Sequence, residues 1–206
     1  MGKGKAKSTI WSEFVNGNNQ KKSYKDLFDA YYDGLYGYGT KICQRPEVVK
    51  DCIQDLFQNV WERRGELDHI DSPNVYLFVS LRRKILKKQK KNKKIGDLSE
   101  LDPNIFIEFS REDLIITDEI KHKNKDKLQK ALNKLPERQK EVILLHFFNG
   151  MSYGEIEEIL SINRQSVYNH IYRAMETLRS LLDNEIMKLV ISMMLSFISY
   201  SHFFIG

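Results

Sequence analysis

Residues 152–175 read SYGEIEEILSINRQSVYNHIYRAM. Two short apolar-periodic stretches meet at Ser161-Ile162-Asn163. In the second, Val167, Ile171, Ala174, Leu178 and Leu181 recur at spacings of four, three, four and three, one buried stripe of an α-helix. Arg164, Gln165, Tyr168, Asn169 and Tyr172 are left for another face. Asn163 can cap that helix with its side-chain oxygen. Ahead of it, Ser152 and Glu155 have the spacing of a capping box, with Met151 and Ile156 set to staple across it. Ile156, Ile159 and Leu160 form the inner face. Helices this short, joined by about three residues, cross as a helix-turn-helix, whose second helix enters a DNA major groove by its N-terminal end. An ordinary helical hairpin with a polar skin fits the same spacing. The chemistry favours the DNA reader: Arg, Asn and Gln pair with base edges through two hydrogen bonds, and Tyr stacks or touches phosphate.

The rest of the chain frames this unit. Its 206 residues suit one or two small domains with real cores. The formal charge of +5 is unevenly spread. Residues 1–94 carry 20 Lys/Arg against 11 Asp/Glu, residues 95–120 carry 1 against 8, and residues 121–206 carry 12 against 9. A basic block, an acidic strip and a mildly basic block predict two domains and a linker, and the basic block invites a polyanion. Cys43 and Cys52 have no metal-ligand spacing around them and read as free thiols of a reducing cytosol. The start, MGKGKAK, has no apolar signal core, so a cytoplasmic protein is expected. No phosphate loop, catalytic triad or metal-binding constellation is visible. Neither an enzyme nor a cofactor is expected.

Residues 1–22 read as a flexible basic N-terminus, with one or two helical turns in TIWSEFVNG ended by Gly17. From Tyr24 the pattern is helical: Leu27, Phe28, Tyr31, Leu35 and Tyr38. Pro46 starts a second helix with Val49, Cys52, Ile53, Leu56, Phe57 and Val60 inward, and Asp51, Gln54, Asp55 and Gln58 on another face. After the loop GELDHIDSPN comes VYLFVSLRRKILKKQKKNKK, in which nine of the fourteen residues 81–94 are basic. Such a run can be no more than a solvated face. Here it continues a helix bearing Tyr76 and Phe78, close in sequence to Trp61, and positive charge beside stacking groups suits single-stranded or melting DNA. Each aromatic is equally a core residue, and Phe57 and Trp61 read as core. Residues 95–120 read as an extended acidic linker. Helices resume near 121 with Leu128, Ala131, Leu132 and Leu135, then Pro136 at a helix start, Val142, Leu145 and Phe148 inward, and Gly150 as a stop. The expectation is an all-α protein of two small helical domains (23–94 and 121–183), the second a four-helix unit containing the helix-turn-helix.

In this order the motifs resemble those of the compact two-domain bacterial sigma factors, the extracytoplasmic-function group of RNA polymerase initiation factors, over roughly residues 10–182. DCIQDLFQNVW is similar to that family's D-L-V-Q-E-V-F-x-x-x-W signature, with Asp51, Gln54, Asp55, Phe57 and Trp61 in place. NVYLFVSLRRKIL is similar to its next helix, and LPERQKEVILLHFFNGMSYGEIEEILSINRQSVYNHIYRAMETLR to its promoter-reading domain. The resemblance implies that Asp51, Gln54, Asp55 and Gln58 dock on the β′ clamp helices of core RNA polymerase. It implies that His69, Asp71, Ser72, Asn74, Tyr76, Arg82, Arg83, Lys84, Lys87 and Lys88 capture a flipped minus-ten base and hold the non-template strand. The acidic linker would thread toward the active-site cleft and RNA exit channel. The last domain would sit on the β flap and read the minus-thirty-five element through Arg164, Gln165, Ser166, Tyr168, Asn169, Tyr172 and Arg173. Arg83 replaces a common Asn, Met175 a common Arg, and Tyr168 and Asn169 stand where relatives carry basic or small polar residues. The promoter sequence therefore does not transfer from relatives. An anti-sigma or other regulatory protein is a further implied partner.

Residues 184–206, with IMKLVISMMLSFISYSHFFI, fall outside the resemblance. Lys188 and His202 leave thirteen residues between them, short of the roughly 20 a spanning helix needs. Lys188, Ser192, Ser196 and Ser199 make a narrow polar stripe. A helix docking on its own domains or a partner is expected, with a membrane contact as the alternative. Two other readings of the whole stay open. One is a free-standing helix-turn-helix regulator, which would not need residues 24–94. The other is an adaptor working through its tail.

Overall fold

A computed structural model describes residues 7–17, 20–93, 105–108, 122–188 and 190. The chain divides into two compact units, Met1–Leu101 and Asp102–Gly206. Among the described residues there are helices and connecting turns and no strand. The fold is all-α.

The first unit contains α1 (Lys7–Asn16), α2 (Gln20–Ile42), α3 (Pro46–Glu62), a single 3-10 turn (Arg64–Glu66) and α4 (Pro73–Lys93). Helix α3 begins with Pro46 in its first turn, where the missing N–H removes no helical bond. It buries Val49, Cys52, Ile53, Leu56, Phe57 and Val60, the stripe read from spacing. Leu27, Tyr31, Leu35, Tyr38 and Ile42 of α2 and Val75, Leu77, Phe78, Leu81, Ile85 and Leu86 of α4 complete the core. The three helices approach closely at Gly39, where an added Cβ would stand 2.6 Å from Val49 Cγ1. Gln89 Nε2 donates to the Ile42 carbonyl at 3.1 Å, closing the end of α2. Cys43 and Cys52 are buried free thiols, and burial pushes the Cys52 thiol up, away from reactivity.

Helix α1 is longer than the one or two turns expected of an otherwise flexible N-terminus. Ile10, Trp11 and Phe14 are buried because their spacing forms a stripe that α2 and the 3-10 turn cover. Phe14 meets Tyr24 and Trp61, and Trp11 meets Tyr76 edge-on at 5.9 Å. Gly17 N–H donates to the Glu13 carbonyl.

The second unit contains α5 (His122–Asn133), α6 (Glu137–Ile143) running into a π-helical turn (Leu144–Phe148), α7 (Tyr153–Leu160) and α8 (Arg164–Leu181). Leu128, Ala131, Leu132, Leu135, Val142, Leu145, Ile156, Ile159, Leu160, Val167, Ala174 and Leu178 are buried. Pro136 stands at the N-cap, one residue before α6. Phe148 is half-buried. Gly150, at φ +66, reverses the chain, a left-handed turn that glycine takes without a Cβ penalty. Leu181 is corrected: it is 41% exposed, and Leu182 is buried in its place. The helix ends there, with Leu182 at ψ 146, so the extended residue rather than the periodic one turns inward. Ile171 is half-buried.

Residues 105–108 lie on this second unit. Ile105 and Ile107 are buried and Phe106 and Glu108 exposed, the period of two of an extended chain. This part of the acidic strip is docked. The remaining linker residues, 95–104 and 109–120, lie outside the described ones. After α8, Asp183 Oδ1 accepts from Ile186 N–H at 3.0 Å, and Lys127 Nζ pairs with Asp183 Oδ2 at 3.1 Å. Those two contacts, the backbone N–H first, hold the Asp183 carboxyl below the usual range. Residues 184–188 are helical and Ile186, Met187 and Val190 are buried. Ser192, Ser196, Ser199 and His202 lie outside the described residues. No helix among the described residues is long and apolar enough to cross a membrane.

Candidate nucleic-acid interface

The turn between α7 and α8 is built by local hydrogen bonds. Ser152 Oγ accepts from Glu155 N–H while the Glu155 carboxylate accepts from Ser152 N–H at 2.8 Å, a closed capping box. Met151 and Ile156 are both buried. Ser161 takes a left-handed conformation at φ 53 and its N–H donates to the Glu157 carbonyl. Asn163 Oδ1 then accepts from Ser166 N–H at 2.8 Å and starts α8. Three residues thus join two crossing helices.

On the outer face of α8, Arg164, Gln165, Tyr168, Asn169, Tyr172 and Arg173 are exposed and Ser166 is half-buried. Tyr168 is 50% and Tyr172 64% exposed, large aromatic surfaces that a stable monomer does not need outside. Gln165 Nε2 donates to Asn169 Oδ1 at 3.1 Å, one helical turn apart. The two amides form one hydrogen-bonded unit at exposed positions. Tyr172 Oη donates to Glu176 at 3.0 Å, and that bond raises the phenol's pKa. Tyr168 is braced from behind. Its ring meets Tyr153 edge-on at 4.6 Å, and Tyr153 meets His146 at 4.9 Å. His146 Nδ1 is 2.8 Å from the Met151 carbonyl. A carbonyl only accepts, so Nδ1 carries the proton. Sequence spacing gave no sign of this brace, because Tyr153 lies on a different helix.

In the first unit the loop after the 3-10 turn exposes His69 and Asp71, with Leu67 buried beneath. His69 Nδ1 stands 3.8 Å from Asp68. Ser72 and Asn74 are half-buried, and the Ser72 carbonyl accepts from Tyr76 N–H at 3.0 Å. A small recess of about 170 Å³ opens between this loop and α1, lined by Trp11, Ser12 and Asn16 opposite Asp68 and Asp71. Helix α1 therefore supplies one wall, a role not read from the one or two helical turns expected within residues 1–22. Of the three aromatics proposed for stacking, Phe78 is buried, Tyr76 is half-buried against Trp11, and Trp61 is half-buried against Phe14, Tyr24 and Arg64.

On α4, Arg83 and Lys87 are exposed, and Arg82, Lys84 and Lys88 half-buried. The four polar residues of α3, Asp51, Gln54, Asp55 and Gln58, are all exposed on one face. Gln54 and Gln58 border an open recess of about 420 Å³ with Lys21, Tyr24 and Trp61. Lys88 joins the two helices, standing 3.6 Å from Asp51 Oδ2 and 3.8 Å from Asp55 Oδ2. Among the described residues no cluster of His, Cys, Asp or Glu could hold a metal ion.

A helix-turn-helix on one unit, and a basic helix beside an acidic and amide-rich face on the other, define a class of DNA-reading factor with two working units. The family follows from comparison with known proteins. The Sigma-70 region 2 model matches residues 27–95 and the Sigma-70 region 4 model matches residues 125–178. RNA polymerase sigma factor SigV of Bacillus subtilis (strain 168) is 33% identical over 139 residues, covering 68% of this chain and 76% of that protein. The ECF RNA polymerase sigma factor SigK of Mycobacterium sp. (strain KMS) is 22% identical over 168 residues, covering 76% and 83%. Among solved structures, the sigma factor RpoE of Bartonella quintana, in complex with the anti-sigma factor NepR, shares the fold at TM-score 0.56 and 19% identity, covering 78% of this chain and 96% of that one. CnrH, in complex with the cytosolic domain of CnrY, does so at TM-score 0.57 and 21% identity, covering 87% and 98%. The chain belongs to the sigma-70 family of RNA polymerase sigma factors, in its extracytoplasmic-function group. Proteins of this family are not enzymes as a kind.

Proposed function

We propose that this chain is an initiation factor that binds bacterial core RNA polymerase and directs promoter recognition, DNA melting and the start of transcription. The observation that carries the reading is the presence of both sigma-70 regions in one chain, each on a unit that exposes a polar working face. In this reading Asp51, Gln54, Asp55 and Gln58 form the polymerase-docking face, with the clamp helices of β′ as its target. The loop from His69 to Asn74, with Tyr76 and the basic residues of α4, takes the opened minus-ten strand. Positive charge neutralises its phosphates, and the recess beside the loop suits a flipped planar base. The exposed face of α8 reads the minus-thirty-five duplex in the major groove, the second unit resting on the β flap. The chain catalyses nothing itself and acts in the cytoplasm, where the polymerase is.

A regulatory protein is part of the reading, since RpoE is solved in complex with the anti-sigma factor NepR and CnrH in complex with the cytosolic domain of CnrY. A free-standing regulator would use α7 and α8 alone and leaves the first unit without work. Run-off transcription with core polymerase on a promoter library tests the proposal. Adding this chain should produce discrete transcripts from a subset of templates. Duplex binding without polymerase, together with no transcript in its presence, would overturn it.

A further inference from the structure

The segment Ile105–Glu108 is held by four hydrogen bonds, and each ends on a side chain of α5 or α6. Ile107 N–H donates to Asn133 Oδ1 at 2.9 Å, and Asn133 Nδ2 donates back to the Ile107 carbonyl at 2.8 Å. Ile105 N–H donates to Glu137 Oε2 at 2.6 Å, and Lys140 Nζ donates to the Ile105 carbonyl at 3.1 Å. Both main-chain groups of two alternate residues are therefore met, as along the edge of a sheet, but by side chains. Glu137 and Lys140 also hold one another at 3.0 Å. Ile105 and Ile107 insert to 1% and 0% exposure, while Phe106 is 44% exposed.

The Lys140 side chain is only 8% exposed. A buried ammonium needs its donors filled, and one of its partners is the segment's own carbonyl. Asn133 spends both ends of its amide on the same residue. The rim of this groove is thus matched to a peptide main chain, and its floor to two apolar side chains two residues apart. This is the logic of strand addition, with main-chain bonds giving affinity and alternate pockets giving selectivity.

We propose that Asn133, Glu137 and Lys140 frame a docking site for an extended peptide with apolar side chains at alternate positions, occupied in cis by Ile105–Glu108. Docking moves the attachment point of the linker on the second unit from His122 to Ile105. A chain spans at most about 3.3–3.6 Å per residue, so the tether after Lys93 reaches about 40 Å when docked and about 100 Å when released. A partner strand of the same pattern would have to displace the linker. The proposal goes beyond the initiation-factor reading and does not depend on it.

Two measurements on the full chain, with neither polymerase nor DNA present, decide it. Amide hydrogen exchange should be slow at Ile105 and Ile107, and Asn133→Ala should accelerate both together. Fast exchange at both in the unaltered chain would overturn the proposal without any variant having to fold. Second, Ile105→Asp with Ile107→Asp should empty the groove. A fluorescent peptide of residues 102–110, DPNIFIEFS, should then bind at least tenfold more tightly than to the unaltered chain, and adding Asn133→Ala should abolish that binding. Equal binding to both chains, or none to the emptied one with its helix content intact, counts against the site.

Discussion

Lys88 Nζ lies 3.6 Å from Asp51 Oδ2 and reaches Asp55 as well. The contact joins two surfaces with different proposed partners, the docking face of α3 and the strand-holding helix α4. The two carboxylates are exposed, at 68% and 54%, and the Lys88 side chain is half-buried at 37%; surface ion pairs of this kind contribute about 0.2–1 kcal/mol. The contact is weak enough to exchange when either partner arrives. In the proposed function, polymerase taking the carboxylates would release the ammonium for phosphate.

Asp51→Ala with Asp55→Ala should abolish co-purification with core polymerase while leaving helix content and unfolding midpoint nearly unchanged. The carboxylates are exposed, and their ion pairs with Lys88 are of the weak surface kind. Retained association would remove this face from the docking assignment.

Neutralising the basic helix should show a graded effect. Each lost phosphate contact removes about one unit from the salt dependence of binding. Lys87→Ala, at an exposed position, should show that full loss in open-complex formation. Lys88→Ala should show the same loss there, and a smaller one in DNA binding measured without polymerase, where part of its charge is spent on Asp51 and Asp55. Equal slopes for the two variants without polymerase would mean that the ion pair is absent in solution.

Sequence preference should reside in the Gln165–Asn169 amide pair and in Tyr168. Asn169→Ala should relax selection at one or two upstream positions by about 1–3 kcal/mol, the range for one good bidentate base contact. Tyr153→Leu alters no proposed contact residue itself but removes the ring that braces Tyr168. It should blur the same positions more weakly. Promoter selection from a randomised upstream element reads both, and an unchanged preference in Asn169→Ala would send the search to other residues of α8.

Amphipathic period made much of this legible. The six buried positions of α3, the capping box, the Asn163 cap and the exposed set on α8 all depend on residues within one or two turns. What escaped depends on distance along the chain. Asn133 and Ile107 are 26 residues apart, and Lys140 and Ile105 are 35, so Ile105 and Ile107, inside an acid-rich stretch, read as linker until their receptor is seen. Lys88 and Asp51 belong to different periodic patterns, each complete without the other. Leu181 and Leu182 were separable only once the end of α8 was known. Helix α1 was underestimated because its three buried residues are few, and the helices that cover them come later in the sequence.

The core of the first unit should be sensitive where helices meet most closely. Gly39→Ala places a methyl 2.6 Å from Val49 Cγ1 and 3.4 Å from Ile85 Cδ1. Overpacking of this kind costs about 1–3 kcal/mol. Phe14→Ala, at a position with no exposure, should cost about 3–5 kcal/mol and so show that α1 belongs to the folded unit. Chemical denaturation followed by helix signal gives both. A Phe14→Ala loss below about 1 kcal/mol would mean that α1 detaches in solution.

Acid should weaken the second unit before it affects carboxylate pairs. Burial first, opposed by the Met151 carbonyl, lowers the His146 pKa from its ordinary 6.5. Burial and then Arg138 and Arg173 lower that of His170. A base whose folded pKa is depressed is neutral in the fold and takes up protons more readily when unfolded. Its stabilisation is complete above about pH 6.5 and is lost as pH falls toward the lower, folded value. The unfolding midpoint should therefore be level from pH 8 to about 7 and decline as the pH falls below about 6.5. His146→Gln, which can still donate to a carbonyl but does not titrate, should flatten part of that decline and leave the His170 share. An unchanged slope in His146→Gln would mean that the imidazole is solvated in the folded chain and does not hold the Tyr153–Tyr168 brace in place.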